Sequence, residues 1–200
     1  MLNAISKIFE KVVTKKLNDY ATKYISNEQH GFLKSRSTTS NLAVFTDYLT
    51  KAMDNEEQTD AFYLDLSKAF DRVDHDLLLW KLSFYRLSCN FLAWLKSYLS
   101  NRKNKVYIDG IYSEIFKPTS GVPQGSILGP LLFILFFDDI CKELKSSNIL
   151  LYADDAKIYK KITCFQDCED LQKDLIRIQA WCELWKLRLN MSKCNVITSH

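Results

Sequence analysis

Two aspartates stand side by side at positions 154 and 155. They directly follow the apolar run Ile149, Leu150, Leu151, Tyr152 and precede a second strand-like stretch that reaches Ile162. The pattern reads as strand, turn, strand, with both carboxylates at the turn. Like charges held that close at the edge of a core repel. One explanation is local, because aspartate is common in turns, where its side chain bonds nearby backbone amides. A third carboxylate favours another. In residues 61–66, Phe62, Leu64 and Leu66 alternate with Tyr63 and Asp65, the period of a strand, so Asp65 points away from the face that carries the two leucines. If the two strands are neighbours, Asp65, Asp154 and Asp155 converge on one edge of a sheet. Such a cluster needs a cation, and oxygen-only ligands favour magnesium or manganese over zinc. Two such ions, about 3.5 to 4 Å apart, can activate a hydroxyl and stabilise charge on a departing phosphate.

The rest of the chain reads as helices around this small sheet. Residues 1–24 space Ile5, Ile8, Val12, Leu17 and Tyr20 at roughly helical intervals between lysines, which predicts an amphipathic helix or two with a basic outer face. A polar, basic loop spans residues 31–40, and a second helix over 40–55 places Leu42, Phe45, Tyr48 and Leu49 inward. Helical patterns return over 74–84 and 90–99. Between Lys105 and Lys117, two short strand-like runs flank Asp109–Gly110, a dipeptide typical of tight hairpins. Pro130 suits the first turn of an apolar helix reaching about Leu144. Over 167–185, Leu171, Leu175, Ile178, Cys182 and Trp185 recur in steps of three and four, as in a packing helix. The sum is an α+β arrangement with a small, largely antiparallel sheet.

Bulk properties constrain less. A net charge of +3 over 200 residues permits approach to polyanions without identifying one. Six cysteines lie without a regular framework and no secretory signal opens the chain, so free thiols in a reducing compartment are expected. A zinc site at Cys164 and Cys168 would need two more ligands at finger-like spacing. The most apolar stretch, 127–137, is about half the length of a spanning helix, so no membrane association is expected.

The runs "FYLDLSKAFDRVDH" from Phe62, "SGVPQGSILGPLLFILFFDDI" from Ser120 and "YADD" from Tyr152 occur in the order of a reverse transcriptase. "QHGFLKSRSTTSNL" from Gln29 and "WKLRLNMSKC" from Trp185 extend the match on either side. Together they resemble the polymerase of non-LTR retrotransposons, particularly jockey-like elements, over most of the chain. The resemblance implies the palm of a right-hand polymerase with partial fingers, carrying out RNA-directed DNA synthesis with two Mg2+ ions, Mn2+ being a possible substitute. It implies an RNA template, a DNA primer and dNTPs as partners, and a nuclear or cytoplasmic location inside the cell. By the same resemblance Asp65 and Asp154 ligate the metals, Asp155 completes the acidic cluster, and the backbone carbonyl of Leu66 assists.

Phe70 matches the aromatic residue that in this family lies beneath the incoming sugar and excludes a 2′-hydroxyl; packing in the core is the plainer role for such a ring. Gly121, Pro123, Gln124 and Gly125 match a loop that lies against the nascent base pair and template. Lys34 and Arg36 match a fingers motif facing the triphosphate, where guanidinium and ammonium groups suit phosphate oxygens. Lys193 matches a lysine that is a candidate proton donor to pyrophosphate. Relatives commonly carry tyrosine and then Asn-Asp after the apolar helix, whereas here Phe136 and then Asp138–Asp139 occur. The expected division is fingers over 1–60 and palm over 61–200, interrupted by the hairpin segment 100–120. The sequence ends soon after Lys193, so a thumb is expected to be absent. A truncated relic that keeps the fold, binds nucleic acid weakly and catalyses nothing is the rival expectation.

Overall fold

The computed structural model describes residues 4–100 and 102–199. Its centre is a four-stranded antiparallel sheet with strand order β4-β5-β1-β6. Here β1 is Gln58–Leu64, β4 is Asn148–Tyr152, β5 is Asp155–Ile162 and β6 is Asn195–Ser199. The alternation in each strand sends its side chains to two separately covered faces. Phe62, Leu64, Ile149, Leu151, Ala156 and Ile158 enter the main core. Ala61, Tyr63, Leu150 and Tyr159 form a second cluster on the opposite face. There Phe45, Tyr48 and Leu49 of helix α2 (Thr38–Asp54) cover them.

The main core is built around helix α6 (Gly129–Phe137), which is apolar on all sides and nearly wholly buried. Burying each of its leucines and phenylalanines takes apolar surface out of water and contributes about 1.5–3 kcal/mol. Pro130 opens this helix as expected. Beyond Phe137 the chain tightens into a 3-10 helix, Asp138–Glu143. Asp138 is buried there and accepts from the Ser26 amide at 2.9 Å and the Ser26 hydroxyl at 2.9 Å. Helices α4 (His75–Ser83), α5 (Cys89–Leu99) and α7 (Phe165–Leu184) supply further core residues, among them Leu78, Leu82, Leu95, Leu99, Leu171, Ile178 and Cys182. A short helix, α3 (Ala69–Arg72), lies just beyond β1. Strands β2 (Tyr107–Ile108) and β3 (Ile111–Tyr112) form a separate exposed hairpin. Asp109 and Gly110 at its turn both have positive φ, at 48° and 85°.

Several expectations change, among them the reach of the apolar helix, whose α-helical part ends at Phe137 rather than near Leu144. Helix α1 (Ala4–Ala21) forms, but Ile5, Ile8 and Val12 face solvent, while Glu10, Leu17 and Ala21 are buried. The reason is a polar anchor. The Glu10 carboxylate accepts from Tyr98 Oη at 2.6 Å and from the Ile127 amide at 2.8 Å, just ahead of α6, and this turns the helix. Residues 1–3 of that expected helix lie outside the described residues. In α2 the Phe45, Tyr48 and Leu49 positions pack as expected, but Leu42 is exposed. Strand β6 was not anticipated, because its residues Asn195, Val196, Ile197, Thr198 and Ser199 show little alternation in burial and form an edge strand held mainly by pairing with β1.

Candidate active site

The β1–β5 register ends with Leu64 opposite Ala156, so the next residues outward, Asp65 and Asp155, are brought together. The β4–β5 hairpin closes with Tyr152 paired to Asp155, leaving Ala153 and Asp154 as the two turn residues. Asp65 leaves β1 but stays in place because the chain continues against residues 188–190. Asn190 N–H donates to the Asp65 carbonyl at 2.8 Å and Ser67 N–H to the Arg188 carbonyl at 2.8 Å. These two bonds bracket an antiparallel bridge between Leu66 and Leu189.

Asp65, Asp155 and Lys193 line one cleft of about 380 Å³ together with Asn41, Tyr63, Tyr152 and Lys157. The Lys193 ammonium lies 3.8 Å from Asp65 Oδ2. Burial pushes the Asp154 carboxyl above its ordinary range, and the charges of Asp155 and Asp65 add to the effect. Asp155 is likewise raised by burial and by Asp65, with Lys193 opposing. A hard cation is what these three carboxylates call for, and the donor set is all oxygen. Among the described residues, however, no three His, Cys, Asp or Glu side chains already surround one metal-binding point. Asp65 and Asp155 line the cleft, and Asp154 stands beside Asp155 at the turn, close enough for the three charges to act on one another.

Phe70 stacks on Phe133 with ring centroids 4.3 Å apart and meets Phe32 edge-on at 6.4 Å, so its ring is fixed from two sides. The 120–125 loop is tied to the turn that carries it. Val122 N–H donates to the Phe70 carbonyl at 2.9 Å and Gly121 N–H to the Val73 carbonyl at 2.8 Å. Gly121 has φ of 89°, and a Cβ there would fall 2.9 Å from the Asp71 backbone. Gln124 is exposed and donates to Asp71 Oδ1 at 2.8 Å, while Gly125 has open space around it. Lys34 is exposed and makes no ion pair among the described residues.

Arg36 is held by its own loop. Its guanidinium donates to the carbonyls of Ser26, Asn27 and Gln29 and to Asn27 Oδ1, so it braces its own loop. Sequence reasoning also passed over Asn41, which donates to the Leu151 carbonyl at 3.1 Å, and Gln29, whose one signal was its place at the start of a quoted motif.

The family model described as "Reverse transcriptase (RNA-dependent DNA polymerase)" matches residues 1–200, the whole chain. The chain belongs to the reverse transcriptase family. Its jockey-like character is shown by two fruit-fly relatives from Drosophila melanogaster. The RNA-directed DNA polymerase from mobile element jockey is 34% identical over 99% of this chain. The probable RNA-directed DNA polymerase from transposon BS is 33% identical over 96%. The chain spans only 23% and 22% of those two proteins. Among solved structures, apo telomerase from Candida tropicalis superposes with a TM-score of 0.73, covering 98% of this chain and 37% of that one at 13% identity. Likeness at that identity establishes a shared reverse transcriptase fold, the α+β palm-like arrangement expected. No described helix is long and apolar enough to cross a membrane.

Proposed function

We propose that this chain is the nucleotidyl-transfer core of an RNA-directed DNA polymerase from a non-LTR retrotransposon, with fingers over residues 1–60 and palm over 61–200. The observation that carries the reading is the β1–β5 register, which sets Asp65 beside the Asp154–Asp155 turn in a reverse transcriptase chain. Asp65, Asp154 and Asp155, with the Leu66 carbonyl, would hold two Mg2+ or Mn2+ ions. Bound there, the ions would supply charge stabilisation and a more acidic primer 3′-hydroxyl. The residues of the chain supply positioning. Phe70, held between Phe133 and Phe32, would exclude a 2′-hydroxyl on the incoming nucleotide, and its fixed ring supports that role. Gln124 and Gly125, on the loop bonded to that same turn, would lie against the template base pair. Lys193, within the cleft, can give a proton to the departing pyrophosphate. Lys34 remains free to meet the triphosphate. Template RNA, DNA primer and dNTP are then the partners, within the nucleus or cytoplasm.

Extension of oligo(dT) on poly(rA) with dTTP and Mg2+ tests the reading. Wild type extends the primer, and Asp154→Asn lowers the rate at least about a hundredfold, the scale of a lost charge-stabilising group, with its circular dichroism unchanged. Equal rates in the two proteins would refute the ligand assignment. Absence of extension by the wild type, alone and when lengthened with the following segment of a jockey relative, would favour the inert relic.

A further inference from the structure

Gln29 is a polar side chain with no exposure at all, and each hydrogen bond of its amide falls on the aspartate turn or on its own loop. Oε1 accepts from the Ala153 amide at 2.9 Å and from the Gly31 amide at 2.7 Å. Nε2 donates to the Ala153 carbonyl at 3.2 Å. One side chain thereby holds both peptide groups that flank Ala153, the residue immediately before the two aspartates.

Ala153 needs holding. It adopts φ of 57°, in the left-handed region that disfavours a side chain. Rotation of either flanking peptide would relieve that strain and would also swing Asp154 and Asp155 away from Asp65. The loop that carries Gln29 is itself built against this turn. His30 N–H donates to the Leu151 carbonyl at 2.8 Å and Leu151 N–H to the Glu28 carbonyl at 2.9 Å, which adds a short parallel bridge to β4. Gly31 lies so close that a Cβ would stand 2.2 Å from the Ala153 nitrogen. Arg36 then secures the loop from its other side through the Gln29 carbonyl.

We infer that Gln29, steadied by Arg36, is a positioning residue that locks the Ala153 turn so that Asp154 and Asp155 face Asp65 and can share divalent cations with it. The inference rests on the polymerase reading of those carboxylates. It also accounts for Arg36, whose charge is directed to loop carbonyls rather than to the open cleft.

The test uses the full chain and two readouts, the Mg2+ concentration giving half-maximal thermal stabilisation and amide exchange at Ala153. Gln29→Met removes all three bonds at nearly constant length, and Gln29→Glu keeps the acceptor but loses the donor. Asp154→Asn is the control. In Gln29→Met the Mg2+ midpoint should rise at least about tenfold, and Ala153 exchange should quicken while the α6 amides stay as in wild type. Gln29→Glu should fall between, and it decides alone if the methionine variant does not fold. A lower melting temperature with an unchanged Mg2+ midpoint would mean simple packing and would overturn the inference while leaving the polymerase reading intact. If wild type and Asp154→Asn respond to Mg2+ alike, the carboxylate assignment fails and the inference fails with it.

Discussion

Leu64 of β1 lies directly opposite Ala156 of β5, and this one pair decides which side chains meet at the end of the sheet. A slip of one residue would turn Asp65 toward the main core and bury an unpaired carboxylate among leucines and phenylalanines. The register is therefore protected by the same apolar pattern that builds the core, and the acidic edge follows from it.

The acidic edge is costly to the folded chain. Asp154 is raised by burial first and then by its neighbours, so the folded state holds that proton more tightly than the unfolded one. The sign follows: ionisation costs stability above the unfolded value near 4, and the cost is relieved as pH falls. Without divalent ions, Asp154→Asn should therefore melt higher than wild type at pH 7, with the gain shrinking toward pH 4. Thermal denaturation in chelator checks this, and a variant that melts lower at pH 7 would contradict it.

Asp174 is fully buried in α7 and accepts from the amides of Lys145, Ser146 and Ser147 at 3.1, 2.9 and 2.8 Å. Burial alone would raise its carboxyl, but the donors of Ser146 and Lys145 outweigh it and hold the group well below the usual carboxylate range. Asp174→Ala leaves three turn amides unpaired just before β4 and should cost about 3 kcal/mol, measured by urea unfolding at pH 7. The difference should diminish as pH falls below about 4, since this contribution is present above the unfolded value and lost in acid. A cost under about 1 kcal/mol would show that water replaces those bonds.

Lys81 is buried against three rings. Its ammonium stands 3.6 Å from the Trp185 centroid and 4.6 Å from that of Trp181, and it donates to the Phe136 carbonyl at 2.6 Å. Burial pulls its pKa down to about 8, although Asp139 opposes. Between about 8 and 10.5 the unfolded chain keeps a proton that the folded chain has released, so stability rises with pH across that window. Relative to Lys81→Met, wild type should gain at most about 1.4 kcal/mol per pH unit there, the slope of one proton. Urea midpoints at pH 7.5 and pH 10 measure the difference, and parallel shifts in the two proteins would contradict it.

Phe70→Val should raise incorporation of UTP relative to dTTP by at least about tenfold, the scale on which a filled pocket discriminates small groups. Competition on a poly(rA) template reads this ratio. Loss of both activities together would instead mark Phe70 as core packing through Phe133.

The legible parts of this chain are those governed by neighbours in sequence. The β4–β5 hairpin, helix α7 and the turn at Asp109–Gly110 each follow from local period or turn chemistry, and the quoted runs pointed to Asp65, Asp154 and Asp155. Helix α1 shows the limit. Its periodicity predicted a helix but not its orientation, because a distant tyrosine and the amide of Ile127 claim Glu10. Asp174 and Gln29 were equally opaque, since a buried polar residue is recognisable only by donors and acceptors supplied from elsewhere.

By itself the sequence determined the family and the kind of most major elements, β6 excepted, and singled out the three carboxylates as candidates, because period-two and period-3.6 patterns and ordered motifs are written in local spacing. Only the tertiary structure decided that Asp65 faces the aspartate turn, that Arg36 braces a loop, and that Gln29 grips Ala153. Those are pairings between residues far apart in the chain, and they exist only after the sheet register and the helix orientations have been chosen together.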